Sequence, residues 1–190
     1  ASDAAPNPMV SKFVFNLSSE DRQRELPSKI IIVQKEEETA VEVLQRLFGY
    51  LILYRDRIQM QTDLHDEYIP FVPDLVQLDY QMQPAFWAEC GEVTTKKLNK
   101  LAVKVHEGEI WIVRSSQDAV DNLVHQMDKA KLRKNRYQIL QLDEEMIAEI
   151  EGLTGARNDV TFFLGRFDPP RMQFEYNGLW FESEFQVREF

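Results

Sequence analysis

Cysteine is almost missing from this 190-residue chain: Cys90 is the single one. No internal disulfide can form, and a reducing compartment, the cytoplasm, is the expectation. Three histidines are scattered at His65, His106 and His125, without the i,i+4 or Cys/His spacing of a zinc site. Glycine is also scarce, with seven residues and no Gly-rich phosphate loop, dinucleotide fingerprint or Gly-x-Ser-x-Gly elbow. Long apolar runs are lacking too. The most hydrophobic stretch, Leu44 to Tyr54, is too short to span a bilayer and carries Arg46, so a membrane is not expected as a partner. Positive charge is outnumbered, 22 Lys and Arg against 32 Asp and Glu, which argues against a protein that coats nucleic acid along its whole surface.

What is present is 44% hydrophobic and 28% charged, ordinary for a globular protein. The length suits one domain over residues 10–190, with 1–9 read as a flexible tail and a monomer as the simplest assembly. Between Thr94 and Arg136 ten Lys and Arg face five Asp and Glu, a local excess of five positive charges on a chain of net charge −10. This basic segment, Lys96 to Arg136, is where nucleic acid would be held; solvated Lys-rich helix faces explain it equally well.

Strands are expected at Lys12–Leu17 and Lys29–Gln34, the latter holding Ile-Ile-Ile-Val. Val41, Leu44, Leu47, Phe48, Leu51 and Ile52 predict a helix over Glu36–Tyr54, with Glu36, Glu37 and Glu38 in its first turn. A short strand is expected in Arg57–Gln61, followed by a polar loop. Further expected elements are a helix from Thr94 or Thr95 to Lys104, a strand Glu109–Arg114, a helix Asp118–Lys131, a strand Tyr137–Leu142 and an Asp143-capped helix to Leu153. The C-terminal third reads as β, with Asn177-Gly178 as its hairpin turn.

The stretch Pro73 to Gly91 carries the chemistry. Leu75–Leu78 and Ala85–Cys90 flank a turn marked by Asp79 and Pro84, and an antiparallel pairing brings Asp74 beside Glu89. Two converging carboxylates, with the Cys90 backbone carbonyl as a third oxygen, suit a hard divalent cation. Read without further context, Asp74 is a turn residue and Glu89 a paired strand-end charge.

Pro73-Asp74, then Glu89-x-Gly91 preceded by Phe86-Trp87, resembles the YaeQ family, which belongs to the PD-(D/E)XK group. Glu38-Thr39 ahead of Leu47 and Leu51, and Lys97-Leu98-x-Lys100 after Gly91, extend the resemblance over roughly Lys12 to Arg114. It implies an α/β fold: a restriction-endonuclease-like core with a central hairpin, a βαβ crossover and extra C-terminal antiparallel strands. It also implies a metal-dependent nuclease-like activity on phosphodiester bonds, with Mg²⁺ or Mn²⁺ on Asp74 and Glu89. Lys97 or Lys100 would supply the charge at the phosphate, and Glu38 would orient a water. Gly91 stands where the superfamily pattern has Lys, and YaeQ-like proteins share that glycine. The alternative is a catalytically silent module of the same fold that binds nucleic acid or a protein.

Overall fold

A computed structural model describes residues 11–190; the tail expected at 1–9 lies outside them. The chain runs β1 (Ser11–Ser19), β2 (Lys29–Gln34), α1 (Ala40–Ile52), β3 (Gln59–Met60), β4 (Leu75–Leu78), β5 (Pro84–Glu89), α2 (Thr95–Lys104), β6 (Glu109–Arg114), α3 (Gln117–Lys129), β7 (Tyr137–Gln141), α4 (Glu144–Leu153), β8 (Arg157–Phe167), β9 (Pro170–Tyr176), β10 (Leu179–Glu184) and β11 (Gln186–Glu189).

The strands form two mixed sheets, not one extended sheet. Sheet order is β10-β9-β8-β1-β2 in the first and β11-β7-β6-β5-β4-β3 in the second. The extra C-terminal strands β8, β9 and β10 pair antiparallel and form the first sheet with β1 and β2, β8 running parallel to β1; only β11 joins the second sheet, beside β7. In the second sheet β5, β6 and β7 are parallel, as a strand–helix–strand crossover dictates, while β4 closes the antiparallel hairpin.

Four layers result. α1 and α4 pack between the two sheets, with Phe15, Phe162 and Phe174 from one sheet and Leu75, Phe86 and Val113 from the other in a shared core. α2 and α3 cover the far face of the second sheet, through Leu98, Leu101, Val120 and Met127 against Val76, Trp87, Ile112 and Ile139. The middle layer explains why α1 is buried at every position from Val43 to Ile52. Gly49 sets its approach, since a Cβ there would stand 3.2 Å from both Cys90 Sγ and Val113 Cγ2. No helix among the described residues is long and apolar enough to cross a membrane.

One expectation about α1 is corrected. Glu36, Glu37 and Glu38 precede the helix instead of forming its first turn; Thr39 is the N-cap, and its hydroxyl accepts the Glu42 backbone N–H. The acidic residue of the first turn is Glu42. Thr39-x-x-Glu42 is the capping-box pattern, a legible signal that outranks a run of acids.

Candidate functional site

The β4–β5 register pairs Leu75 with Ala88, so the next residues outward, Asp74 and Glu89, meet at one end of the hairpin. Both are buried. Asp74 is held from two sides: Oδ1 accepts from Arg46 Nε at 3.0 Å, and Oδ2 accepts from the Cys90 backbone N–H at 2.7 Å. Glu89 Oε1 faces Lys97 Nζ at 2.8 Å and accepts from Trp87 Nε1 at 3.0 Å. Oε2 of Glu89 accepts no hydrogen bond from any described residue.

Arg46 comes up from the middle of α1, almost wholly buried, and its Nη2 donates to Glu38 Oε2 at 2.7 Å. The other oxygen, Glu38 Oε1, is buried without a hydrogen-bond partner. A buried carboxylate oxygen left alone is costly, which makes it a natural acceptor for a cation or a water. Glu38, Asp74, Glu89 and Lys97 thus line one cleft of about 530 Å³, together with Glu42, Arg46, Gly91 and Glu92. Seven acidic residues and three basic ones line it, a cavity that attracts cations.

The electrostatics follow from burial. Desolvation pushes the Glu89 carboxyl above its ordinary range; Lys97 opposes this and Asp74 reinforces it. Glu42 is likewise raised, first by desolvation and then by Glu38 and Glu92. For Arg46, desolvation pulls downward, but Asp74 and Glu38 overcome it and the net shift is upward. Burial drives the Cys90 thiol well above its usual value, so it packs as an apolar group and is no nucleophile.

The remaining sequence candidates sort by geometry. Thr94 caps α2 by accepting the Lys97 backbone N–H at 3.1 Å. From this first-turn position the Lys97 side chain reaches back to Glu89. Lys100 is exposed and does not line the cleft. The Cys90 carbonyl already accepts from Gln45 Nε2 at 2.7 Å. In the basic segment Lys96–Arg136, Arg114 and Arg136 are partly engaged with backbone carbonyls, of Gly91 and Val105 respectively. His65, His106 and His125 are exposed. Sequence reasoning missed Arg46 as the partner of Asp74, because its spacing puts it in an otherwise apolar helix.

The family model described as YaeQ protein matches residues 4–164. The chain belongs to the YaeQ family. Two solved members share its fold at low identity. The YaeQ protein from Xanthomonas axonopodis pv. citri has a TM-score of 0.71 at 17% identity, covering 95% of this chain and 98% of that one. The YaeQ protein from Pseudomonas syringae has a TM-score of 0.68 at 15% identity, covering 94% and 95%. No curated protein matches. Residues of the cleft, from Lys35 to Lys97, all fall within the stretch that the family model matches.

Gly91 has a local reason. A Cβ at this position would stand 3.0 Å from Glu42 Oε2, so the Glu42 carboxylate lies over the space a side chain at 91 would take. The cation beside Glu89 is Lys97, in the first turn of the next helix.

Proposed function

We propose that this cleft is a divalent-cation-dependent phosphodiester-cleaving centre on a restriction-endonuclease-like, PD-(D/E)XK-type core. The observation that carries the reading is the convergence of Glu38, Asp74, Glu89 and Lys97, drawn from three parts of the chain, on one acidic cleft. The order of helix α1, hairpin β4–β5, helix α2 and parallel strands β6 and β7 supports such a core.

The donor set fits Mg²⁺ or Mn²⁺ in kind: hard carboxylate oxygens, including the orphaned Glu38 Oε1 and the free Glu89 Oε2. No group of three His, Cys, Asp or Glu among the described residues is arranged as a ready metal cage. Magnesium is commonly held by one or two carboxylates and several waters, so Asp74 and Glu89 suffice as its protein ligands. A bound cation would acidify a water and neutralise phosphate charge. Lys97 lies next to Glu89, where its ammonium can meet a non-bridging phosphate oxygen. Arg46 fixes Asp74 in orientation, and Glu38 offers an acceptor for a water proton.

A second reading, the silent binding module, is favoured by one observation: Arg46 and Lys97 already neutralise Asp74 and Glu89. Calorimetric titration of Mn²⁺ and Mg²⁺ separates the two, with Asp74→Asn and Glu89→Gln as controls that keep side-chain shape around the buried Arg46. Binding by the unaltered protein that both variants lose supports the metal centre. Cleavage of single-stranded and duplex DNA and RNA should then fall about 10²–10³-fold in Lys97→Met and hold in Lys100→Met. No binding at millimolar metal leaves the silent module as the function.

A further inference from the structure

Behind the cleft, on the other side of Glu42, Gly91 and Glu92, lies a second cavity of about 340 Å³. Its floor is a buried polar cluster. Ser115 Oγ donates to Gln45 Oε1 at 2.8 Å, and Gln45 Nε2 donates to the Cys90 carbonyl at 2.7 Å. Beside them is Arg114, 7% exposed, at the end of β6. Its Nη1 donates to the carbonyls of Gly91 at 2.5 Å and Val113 at 3.0 Å. Nε and Nη2 donate to no described residue, and no carboxylate among the described residues stands within ion-pair distance of this guanidinium. Three N–H groups of this arginine are thus left to the cavity rather than to protein acceptors, where a ligand with acceptor atoms can meet them.

The rest of the lining limits what that ligand is. Glu42 and Glu92 add two carboxylates to the one guanidinium, so the cavity carries a formal net charge of −1. A phosphate would meet repulsion there; an uncharged ligand with both acceptors and donors would not. Gln45, Asn122 and Gln126 supply carboxamides, while Val41, Val93 and Leu123 supply apolar contact for a flat face. Among uncharged groups of nucleic acids, the guanine edge matches this set. Arginine donates in a fork to O6 and N7, and a carboxylate accepts from N1–H and the exocyclic amine.

We infer that this cavity is a nucleobase pocket for an unstacked guanine, with Arg114 reading O6 and N7, and with Glu42 or Glu92 accepting from the donor side. Its use as a specificity pocket rests on the cleft being a phosphodiester centre, because the shared wall of Glu42, Gly91 and Glu92 would then place the bound base next to the reacting phosphate. Extruding a base into such a pocket is how enzymes acting on nucleic acid obtain access or choice at a single position.

The test is direct binding of guanosine, adenosine, cytidine and inorganic phosphate to the full chain, followed by calorimetry and by amide chemical shifts of α3. Guanosine is expected to bind at least about tenfold more tightly than adenosine or cytidine, and Arg114→Gln to abolish that margin. Arg114 is buried, so a loss of fold in that variant is checked by thermal unfolding. Asn122→Trp, on the exposed side of α3, is the independent variant and should block guanosine by filling the cavity. Equal affinity for all three nucleosides, binding of phosphate instead, or guanosine binding unaffected by Asn122→Trp overturns the pocket. Mn²⁺ titration of the same unaltered protein reads the first cleft separately. Metal binding without guanosine binding removes only the base pocket, and guanosine binding without metal removes only the phosphodiester centre.

Discussion

At the scale of single residues, the cleft is a set of buried charges that hold one another in place. Arg46 is 2% exposed and shares its guanidinium between Asp74 and Glu38; such a group removed from one partner stays charged in a poor solvent. Glu89 is the least comfortable member, because the residue is 4% exposed and the upward shift of its carboxyl comes chiefly from desolvation. A folded pKa above the unfolded one means the folded state binds the proton more tightly. The stability this contributes is fully present below the unfolded value near 4.5 and is lost as pH rises through the folded value. Glu89→Gln stays neutral throughout. Urea midpoints taken from about pH 4 to about pH 7 should therefore show the unaltered protein losing ground against Glu89→Gln as pH rises. Parallel curves would contradict the desolvated carboxyl. The pair Asp74 and Glu89 was legible in the sequence because a hairpin of known register juxtaposes its two ends. Their counter-ions were only half legible. Lys97 was named together with Lys100, since helical spacing cannot tell which lysine turns back at the first turn, and Arg46 had no local signature.

At the scale of elements, α2 is the part whose start matters most, because its first turn delivers Lys97 to Glu89. Its mean composition is polar, and Leu98, Leu101 and Ala102 are its buried residues, so the N-cap counts for more than in α1. Thr94→Ala removes the acceptor for the Lys97 backbone N–H and should cost about 1 kcal/mol in urea unfolding. The same variant should weaken Mn²⁺-supported cleavage more than Thr95→Ala, whose hydroxyl caps nothing; equal effects would show that the cap does not position Lys97. Helices α2 and α3 could be read from periodicity because each buries one stripe, Leu98, Leu101 and Ala102 in one and Val120, Leu123 and Met127 in the other. Glu36 to Glu38 misled because acids before a cap and acids after it look alike by charge, whereas Thr39-x-x-Glu42 carries the position of the cap itself.

At the scale of the whole molecule, the first sheet as a separate layer was invisible in the sequence. Parallel pairing of β1 with β8 joins Val14 to Arg157, Leu17 to Val160 and Ser19 to Phe162, and no local pattern marks partners so distant along the chain. That pairing makes α1 an interior helix, with Phe48 against Phe174 of one sheet at 5.1 Å between ring centroids and Gly49 against Cys90 and Val113 of the other. Among the described residues, one core cluster therefore spans both sheets. Phe48→Ala tests this. Phe48 is fully buried, so truncation should cost about 3–5 kcal/mol. Its contact with Phe174 lies on the first sheet, whereas the buried tryptophans, Trp87 and Trp111, lie in the second. If the two sheets fold as one unit through α1, tryptophan fluorescence and far-UV circular dichroism should lose stability together, with one midpoint. A tryptophan transition that stays in place while part of the dichroism melts early would divide the chain into two units, and the cleft would then belong to the second sheet and its helices alone.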